Sequence, residues 1–457
     1  MENTVKESIE RQRKYFETHK TKDVKFRLYN LKKLKKAIQE YENKITDALF
    51  KDLHKSAFES FETEIGYVLD EISLHINKLK KWNKPQKKST PLALKPAKSY
   101  IYNEPYGIVL IISPWNYPFQ LLIDPLIGAV SGGNCAILKP AELSSHTSEV
   151  IKEMIKKYFD PGFLDVFTGG KETNQALLKE KFDYIFFTGS PGLGKIVMKA
   201  AAEHLTPVTL ELGGKSPCIV HQDADIKLSA KRIIWGKLLN AGQTCVAPDY
   251  LMVHNDIKED LLSRMKACIK EFYGENPEDN KEYPRIISDG HFDRLVNLMQ
   301  HGEKICGGNT NRTKRYIEPV ILDHINADDP VMQEEIFGPV LPVLTYEKIE
   351  EAIQFVNDQP RPLALYFFSK SKKMQKKILT STSSGGVTIN DTIIHVASAK
   401  LPFGGVGNSG MGSYHGKYSF LTFTHQKAVM KNPTWIDLPV KYPPYKDKIK
   451  WLKLLFK

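Results

Sequence analysis

Between residues 107 and 212 the chain runs through five short, nearly continuous apolar stretches separated by segments with helical spacing. Residues 107–113, 135–139, 164–168, 184–188 and 208–212 read as strands, and 119–130 and 144–158 as helices. A strand that is apolar on both faces must be covered on both faces, and alternation with helices joins such strands in parallel. The pattern therefore predicts a doubly wound, Rossmann-like α/β sheet, whose ligands lie beyond the carboxyl ends of its strands. Four polar or glycine-bearing clusters fall at those ends: Ser113-Pro-Trp-Asn116, Lys139-Pro-Ala-Glu142, Thr188-Gly-Ser190 and Glu211-Leu-Gly-Gly214.

At 457 residues the chain exceeds one domain, and 41% hydrophobic content with 22 Phe supplies an ordered core. From about residue 214 to 390 strands and helices again alternate, which predicts a second α/β unit. Residues 5–55 carry apolar positions at helical spacing (Leu28, Leu31, Leu34, Ile38, Ile45, Leu49) among lysines and glutamates and read as solvated amphipathic helices. Leu401 to Gly412 is too glycine-rich for helix or strand and is expected to be a tight loop.

Five cysteines at 135, 218, 245, 268 and 306, with no CxxC pair, exclude a disulfide framework and a zinc ribbon, and no histidine pair has metal spacing. No metal site is expected. With no apolar run at the start, and with residues 106–138 broken by Pro114, Pro118, Asp124 and Pro125, neither an export signal nor a spanning helix is expected. The reading is therefore cytoplasmic. A formal charge of +12 raises nucleic acid or an anionic membrane as partners, but its distribution is uneven. Residues 78–98 hold eight lysines and no acid, and 426–457 hold eight lysines against Asp437 and Asp447. These segments carry +8 and +6 of the +12, which leaves the rest at −2, and no nucleic-acid partner is expected.

Chemistry concentrates at Asn240-Ala-Gly-Gln-Thr-Cys245. Small neighbours let a substrate carbon approach the sulfur, and an adjacent backbone N–H can donate to an oxyanion. A buried inert cysteine is the competing reading. Asn116 can supply a side-chain N–H to the same oxyanion, and Glu211, at the end of an apolar strand, is a candidate base. Gly189-Ser-Pro-Gly-Leu-Gly194 follows a strand and opens a helix, so its free amides can face a pyrophosphate, although it is not GxGxxG. Lys139 and Glu142 can reach ribose hydroxyls, or else form a surface ion pair. Glu334-Glu-Ile-Phe-Gly-Pro339 sets the Glu335 carboxylate two residues from the Phe337 ring, a workable cradle for a ribose diol and a nicotinamide.

Taken together, Pro114-Trp-Asn116-Tyr-Pro118, Lys139-Pro-Ala-Glu142, Phe187-Thr-Gly-Ser190, Glu211-Leu-Gly-Gly214, Gly242-Gln-Thr-Cys245 and Glu335-Ile-Phe337-Gly-Pro339 occur in the order of the NAD(P)-dependent aldehyde dehydrogenase superfamily. The resemblance spans about residues 10–425. Pro402 to Gly412, Tyr414-His-Gly-Lys417 and Tyr442-Pro-Pro-Tyr445 resemble the class three branch, which oxidises fatty and aromatic aldehydes and typically forms dimers. The resemblance implies an aldehyde dehydrogenase fold: a cofactor domain (1–80 and 102–210), a catalytic domain (211–392), a small β oligomerisation arm (81–101 and 393–425) and a basic tail (426–457).

It further implies that Cys245 attacks the aldehyde, that Asn116 and the Cys245 N–H hold the oxyanion, and that Glu211 activates water to hydrolyse the thioester. Lys139 and Glu142 would bind the adenosine ribose, Trp115 and Ser190 lie near the pyrophosphate, and Glu335 and Phe337 serve the nicotinamide ribose and ring. Gly189 and Gly194 would keep side chains out of the cofactor's path. Pro125 stands where tetrameric relatives usually carry a lysine, so proton transfer must use water or another group. Glu142 favours a free 2′-hydroxyl, hence NAD, with NADP also admitted. An enzyme acylating coenzyme A is the alternative, and Glu211 argues against it; a basic membrane- or RNA-binding protein with an inactive enzyme body is the other. At 100° per residue Lys446, Lys450, Lys453 and Lys457 face away from Ile449, Leu452, Leu455 and Phe456, a helix suited to an anionic membrane or to docking on its own dimer.

Overall fold

The computed structural model describes residues 2–455, without the side chains of Leu452, Leu454 and Leu455. Five parallel strands form the first sheet in the spatial order Val208–Leu212, Tyr184–Gly189, Ile108–Ile112, Cys135–Lys139, Leu164–Val166. The central Ile108–Ile112 strand is buried throughout, which is why it shows no polar alternation. Strand order reverses on either side of it, and the crevice between its carboxyl end and that of Tyr184–Gly189 is the switch point where such sheets bind ligands.

One expectation fails here. Gly410–Met411, inside the expected tight loop, pairs antiparallel with the sheet edge, Gly410 opposite Glu211 and Met411 opposite Leu210. The absent side chain is what permits it: Gly410 has φ 138°, and a Cβ there would stand 2.1 Å from the Leu210 carbonyl oxygen.

Helix Val24–Leu53 starts at Asp23, whose side chain accepts from Lys25 N, and ends at His54 with φ 57°. It buries Leu31, Leu34, Ile38, Ile45 and Leu49 against Ser145–Tyr158 and Gly66–Trp82, so the apolar stripe read from the sequence is its packed face. The second sheet holds seven strands in the order Glu303–Cys306, Val320–Asp323, Val340–Tyr346, Tyr250–His254, Pro217–Val220, Ala364–Phe368, Gly386–Ile389. All are parallel except the first. A third, antiparallel sheet joins Gln86–Lys88, Lys98–Pro105 and Thr424–Lys431, and its register runs from Thr424 opposite Pro105 to Lys431 opposite Lys98.

Among the described residues no helix is long and apolar enough to cross a membrane. The C-terminal segment forms a short turn at Lys446–Lys448 and then helix Ile449–Leu455, with Ile449 and Trp451 exposed. Of the apolar face expected there, the side chains of Leu452 and Leu455 and all of Phe456 lie outside the described residues, as does Lys457.

Candidate active site

Helix Ile226–Leu238 runs into a turn, Leu239–Gly242, in which Asn240 and Ala241 both have φ 51° and Gly242 has φ 76°. A Cβ on Gly242 would stand 2.2 Å from the Gly338 carbonyl oxygen, so only glycine brings this turn against the Phe337 loop. Gln243 then pins it on three sides. Its Nε2 donates to the carbonyls of Asn240 and Arg285 at 3.0 Å each, and its Oε1 accepts from Ile287 N at 3.0 Å. Tyr366 Oη donates to the Val246 carbonyl on the far side. Cys245 is thereby held on a rigid loop, half-buried, with the N–H groups of Cys245 and Val246 directed at its sulfur. Burial, then Glu335 and Glu211, push its thiol up to about 12.

Asn116 lies four residues past the end of the Ile108–Ile112 strand in the turn that precedes helix Gln120–Gly132. Its Nδ2 donates to the Gln243 carbonyl at 3.0 Å, which leaves the second N–H of the amide for another acceptor. Glu211 sits next to last on its strand, 3% exposed, and neither carboxyl oxygen has a hydrogen-bond partner. Loss of water raises that carboxyl well above the ordinary range.

Two cavities meet at the cysteine. One of about 360 Å³ opens over the switch point and is lined by Trp115, Asn116, Gly189, Ser190, Glu211, Glu335 and Phe337. The other, about 260 Å³, lies on the opposite side and is walled by aromatic and aliphatic groups including Tyr67, Tyr117, Trp235, Leu239, Ile393 and Val396. Cys245, Phe403 and Tyr414 border both.

The model of the aldehyde dehydrogenase family matches residues 1–429. The chain belongs to that family. It is 49% identical to 4,4'-diaponeurosporen-aldehyde dehydrogenase of Staphylococcus aureus over the full length of both chains, and 46% identical to the dimeric NADP-preferring aldehyde dehydrogenase of Canis lupus familiaris over 96% of this chain and 98% of that one. A solved structure of Staphylococcus aureus AldH in a substrate-bound state superposes with a TM-score of 0.98 over 99% of each chain at 49% identity. Relatives at 45–49% identity are class three members, and the present protein is an NAD(P)-dependent enzyme oxidising an aldehyde.

The larger cavity of this aldehyde dehydrogenase has the chemistry a dinucleotide needs. Helix Pro191–Ala202 opens onto it with Ser190 as its cap, accepting from Leu193 N, so the positive end of the helix dipole lies at the cavity. Glu335 packs over Gly213, where a Cβ would lie 2.0 Å from Oε2, and draws on the N–H of Gly214; burial and Asp249 raise its carboxyl to about 8. The Trp115 and Phe337 rings meet edge to face at 5.4 Å across the mouth. Among the described residues no cluster suits a metal ion.

Three of the residues singled out from sequence are not in the lining of that cavity. Lys139, at the end of the neighbouring strand, is buried, donates to the Pro140 carbonyl at 2.7 Å, and is lowered to about 8 by loss of solvent, against the pull of Glu142. Exposed Glu142 stands over Gly170, where a Cβ would lie 2.1 Å from its Oε2. Gly194 faces the protein interior: a Cβ there would meet Leu212 Cδ2 at 2.7 Å, so its smallness serves helix-on-sheet packing.

Sequence reading missed the groups that hold the Phe337 loop. From helix Asp289–Leu298, His291 Nε2 lies 2.8 Å from the Phe337 carbonyl, while Arg294 donates to the carbonyls of Glu335 and Ile336 and pairs with Glu334 at 3.2 Å. They steady Phe337 at φ 57°, a costly conformation for an aromatic residue. A His and an Arg three apart on a helix carry no signal until the loop they reach is known.

Proposed function

We propose that this enzyme oxidises apolar aldehydes, medium- or long-chain aliphatic or aromatic, to carboxylic acids through a thioester on Cys245. The observation that carries this reading is the meeting, at one sulfur, of an apolar chamber and a cavity that opens over the switch point of the first sheet. Cys245 gives up its thiol proton to water and attacks the aldehyde carbon, and the developing oxyanion takes hydrogen bonds from the free N–H of the Asn116 amide and from the Cys245 backbone. The nicotinamide, when bound, supplies the acceptor for the hydride. Glu335 is suited to the adjoining ribose, with Trp115 and Phe337 beside the ring, and Ser190 with the start of its helix to the pyrophosphate. Glu211, as carboxylate, then takes a proton from water as that water attacks the thioester carbon; the C–S bond breaks, the proton passes to the leaving sulfur, and the acid is released with the thiol restored. Its unpartnered oxygens leave the base free to hold that water.

Hydrolysis is favoured over transfer to coenzyme A because Glu211 is present and reaches the cysteine's cavity. NAD is favoured as cofactor, with NADP accepted: the acid at Glu142 suits a free 2′-hydroxyl, and the canine relative is named NADP-preferring. The first sheet supplies cofactor binding, the second the catalytic cysteine, and the antiparallel arm a dimer contact. The lysine-rich tail, with Ile449 and Trp451 exposed, is assigned a contact with anionic membrane. The test is a kcat/KM series across alkanals of increasing length and benzaldehydes with both cofactors and with coenzyme A added. Rising kcat/KM with apolar size and a free-acid product are expected; a flat series or an acyl-CoA product overturns the reading.

A further inference from the structure

Behind the loops of Asn116 and Cys245 lies a set of buried charges that none of the chemical steps uses. Lys55, just past the left-handed cap His54, and Glu64, in the turn Phe61–Ile65, have fully buried side chains and pair at 2.6 Å. Each also grips the main chain of the Asn116 loop. Lys55 Nζ donates to the Asn116 carbonyl at 3.0 Å and stands 3.8 Å from the centre of the Tyr117 ring. Glu64 Oε2 accepts from Phe119 N at 2.9 Å and from Gln120 N at 3.2 Å, N–H groups at the start of helix Gln120–Gly132.

The cysteine loop is tied to the same cluster. Glu59 Oε1 accepts from Asn240 N at 2.8 Å, and Asn240 Nδ2 returns to the Asn116 carbonyl at 2.8 Å. Tyr117 Oη and Thr244 Oγ1, neighbours of the two reacting groups, share a hydrogen bond of 2.7 Å. The Asn116 carbonyl thus receives one bond from the cation and one from the cysteine loop, and the side-chain amide of the same residue donates to the Gln243 carbonyl, which Asn240 Nδ2 also reaches at 3.2 Å.

A buried ion pair is a poor stabiliser, because the cost of desolvating both charges is of the same size as their attraction. What this one adds is geometric. Both partners direct their remaining hydrogen-bonding capacity to the backbone of a single loop. We propose that Lys55 and Glu64 are positioning residues for the oxyanion site, fixing the Asn116 main chain against the Cys245 loop so that the free amide N–H meets the substrate oxygen. This rests on the reading of Asn116 as an oxyanion donor. A displacement of about 1 Å at such a donor costs on the order of a hundredfold in rate.

The test is a cycle of kcat/KM for hexanal and of Kd for NAD, measured on the whole enzyme as wild type, Asn116→Ala, Lys55→Met/Glu64→Gln, and all three substitutions together. The double variant removes one buried charge of each sign. It is expected to lower kcat/KM by about 10- to 100-fold with Kd for NAD unchanged within about twofold. In the Asn116→Ala background the same pair should lower kcat/KM by less than about threefold, since the donor it positions is gone. Equal factors in both backgrounds, or wild-type kcat/KM in the double variant, overturn the proposal. If the double variant does not fold, Glu64→Gln alone, which preserves shape, goes through the same cycle with the same criteria. Failure of the oxyanion reading is visible separately, as wild-type kcat/KM in Asn116→Ala.

Discussion

Cys245 and Glu211 border one cavity, and burial holds both in the protonated form, the thiol near 12 and the carboxyl well above its ordinary range. Each must lose a proton to act, so the sign of the pH dependence follows. Rates that need either anion increase as pH rises from 6 to 9 rather than levelling off above the ordinary carboxylate range. Glu211→Gln is expected to keep a stoichiometric burst of NADH with hexanal and to lose steady turnover by about 10²- to 10⁴-fold, because only hydrolysis requires the base. Intact mass of the quenched variant should then show the acyl group on the protein. Loss of the burst along with turnover would move Glu211 to the first half-reaction. Cys245→Ala should show neither burst nor added mass.

Asn116, Glu211 and Cys245 stand out in the sequence, Asn116 in a proline-bounded turn after an apolar strand, Glu211 at a strand end before Gly213-Gly214 and Cys245 after small residues, and the structure brings all three to one cavity. Lys55 does not. It follows a lysine-rich helix and looks like one more solvated charge, and only the return of the Asn116 loop from 61 positions away makes it a buried partner. His291 and Arg294 were hidden for the same reason.

At the scale of elements, local pattern located the five parallel strands of the first sheet to within two residues at either end, since short apolar runs between helical segments admit little else, and it set no bounds for the strands of the second sheet. It failed at Gly410–Met411, where glycine content signalled a loop but the missing Cβ is what allows edge pairing beside Glu211. Glycines of one composition thus have different effects according to what approaches them. Gly242→Ala would place a methyl group 2.2 Å from the Gly338 carbonyl oxygen at positive φ, separating the cysteine turn from the Phe337 loop. A loss of about 1–3 kcal/mol of stability and at least a tenfold fall in kcat/KM are expected, measured by denaturant titration and NADH formation. Gly290→Ala is the matched comparison. Its Cβ meets nothing within 4 Å and it lies in helix Asp289–Leu298, so a gain of about 0.5–1 kcal/mol with unchanged kcat/KM is expected.

For the whole molecule, the excess charge separates from the chemistry. The body outside residues 78–98 and 426–457 is near neutral, and the tail combines lysines with Trp435, Tyr445, Ile449 and Trp451, all of them exposed. Aromatic and aliphatic groups among cations suit a lipid surface: each lysine near an anionic headgroup layer contributes about 1 kcal/mol, and that attraction falls with salt. An enzyme with an apolar substrate chamber also gains from standing where such substrates partition. Removal of residues 442–457 should therefore abolish sedimentation with phosphatidylserine vesicles at low salt and leave binding to phosphatidylcholine vesicles as weak as before, while kcat/KM for hexanal stays within about twofold, because no tail residue among those described borders the cavities that meet at Cys245. Equal sedimentation of the full chain and the truncated one would assign the basic surface to another part of the protein. A fall in kcat/KM together with a change of oligomeric state would instead show that the tail packs on a second copy of the chain.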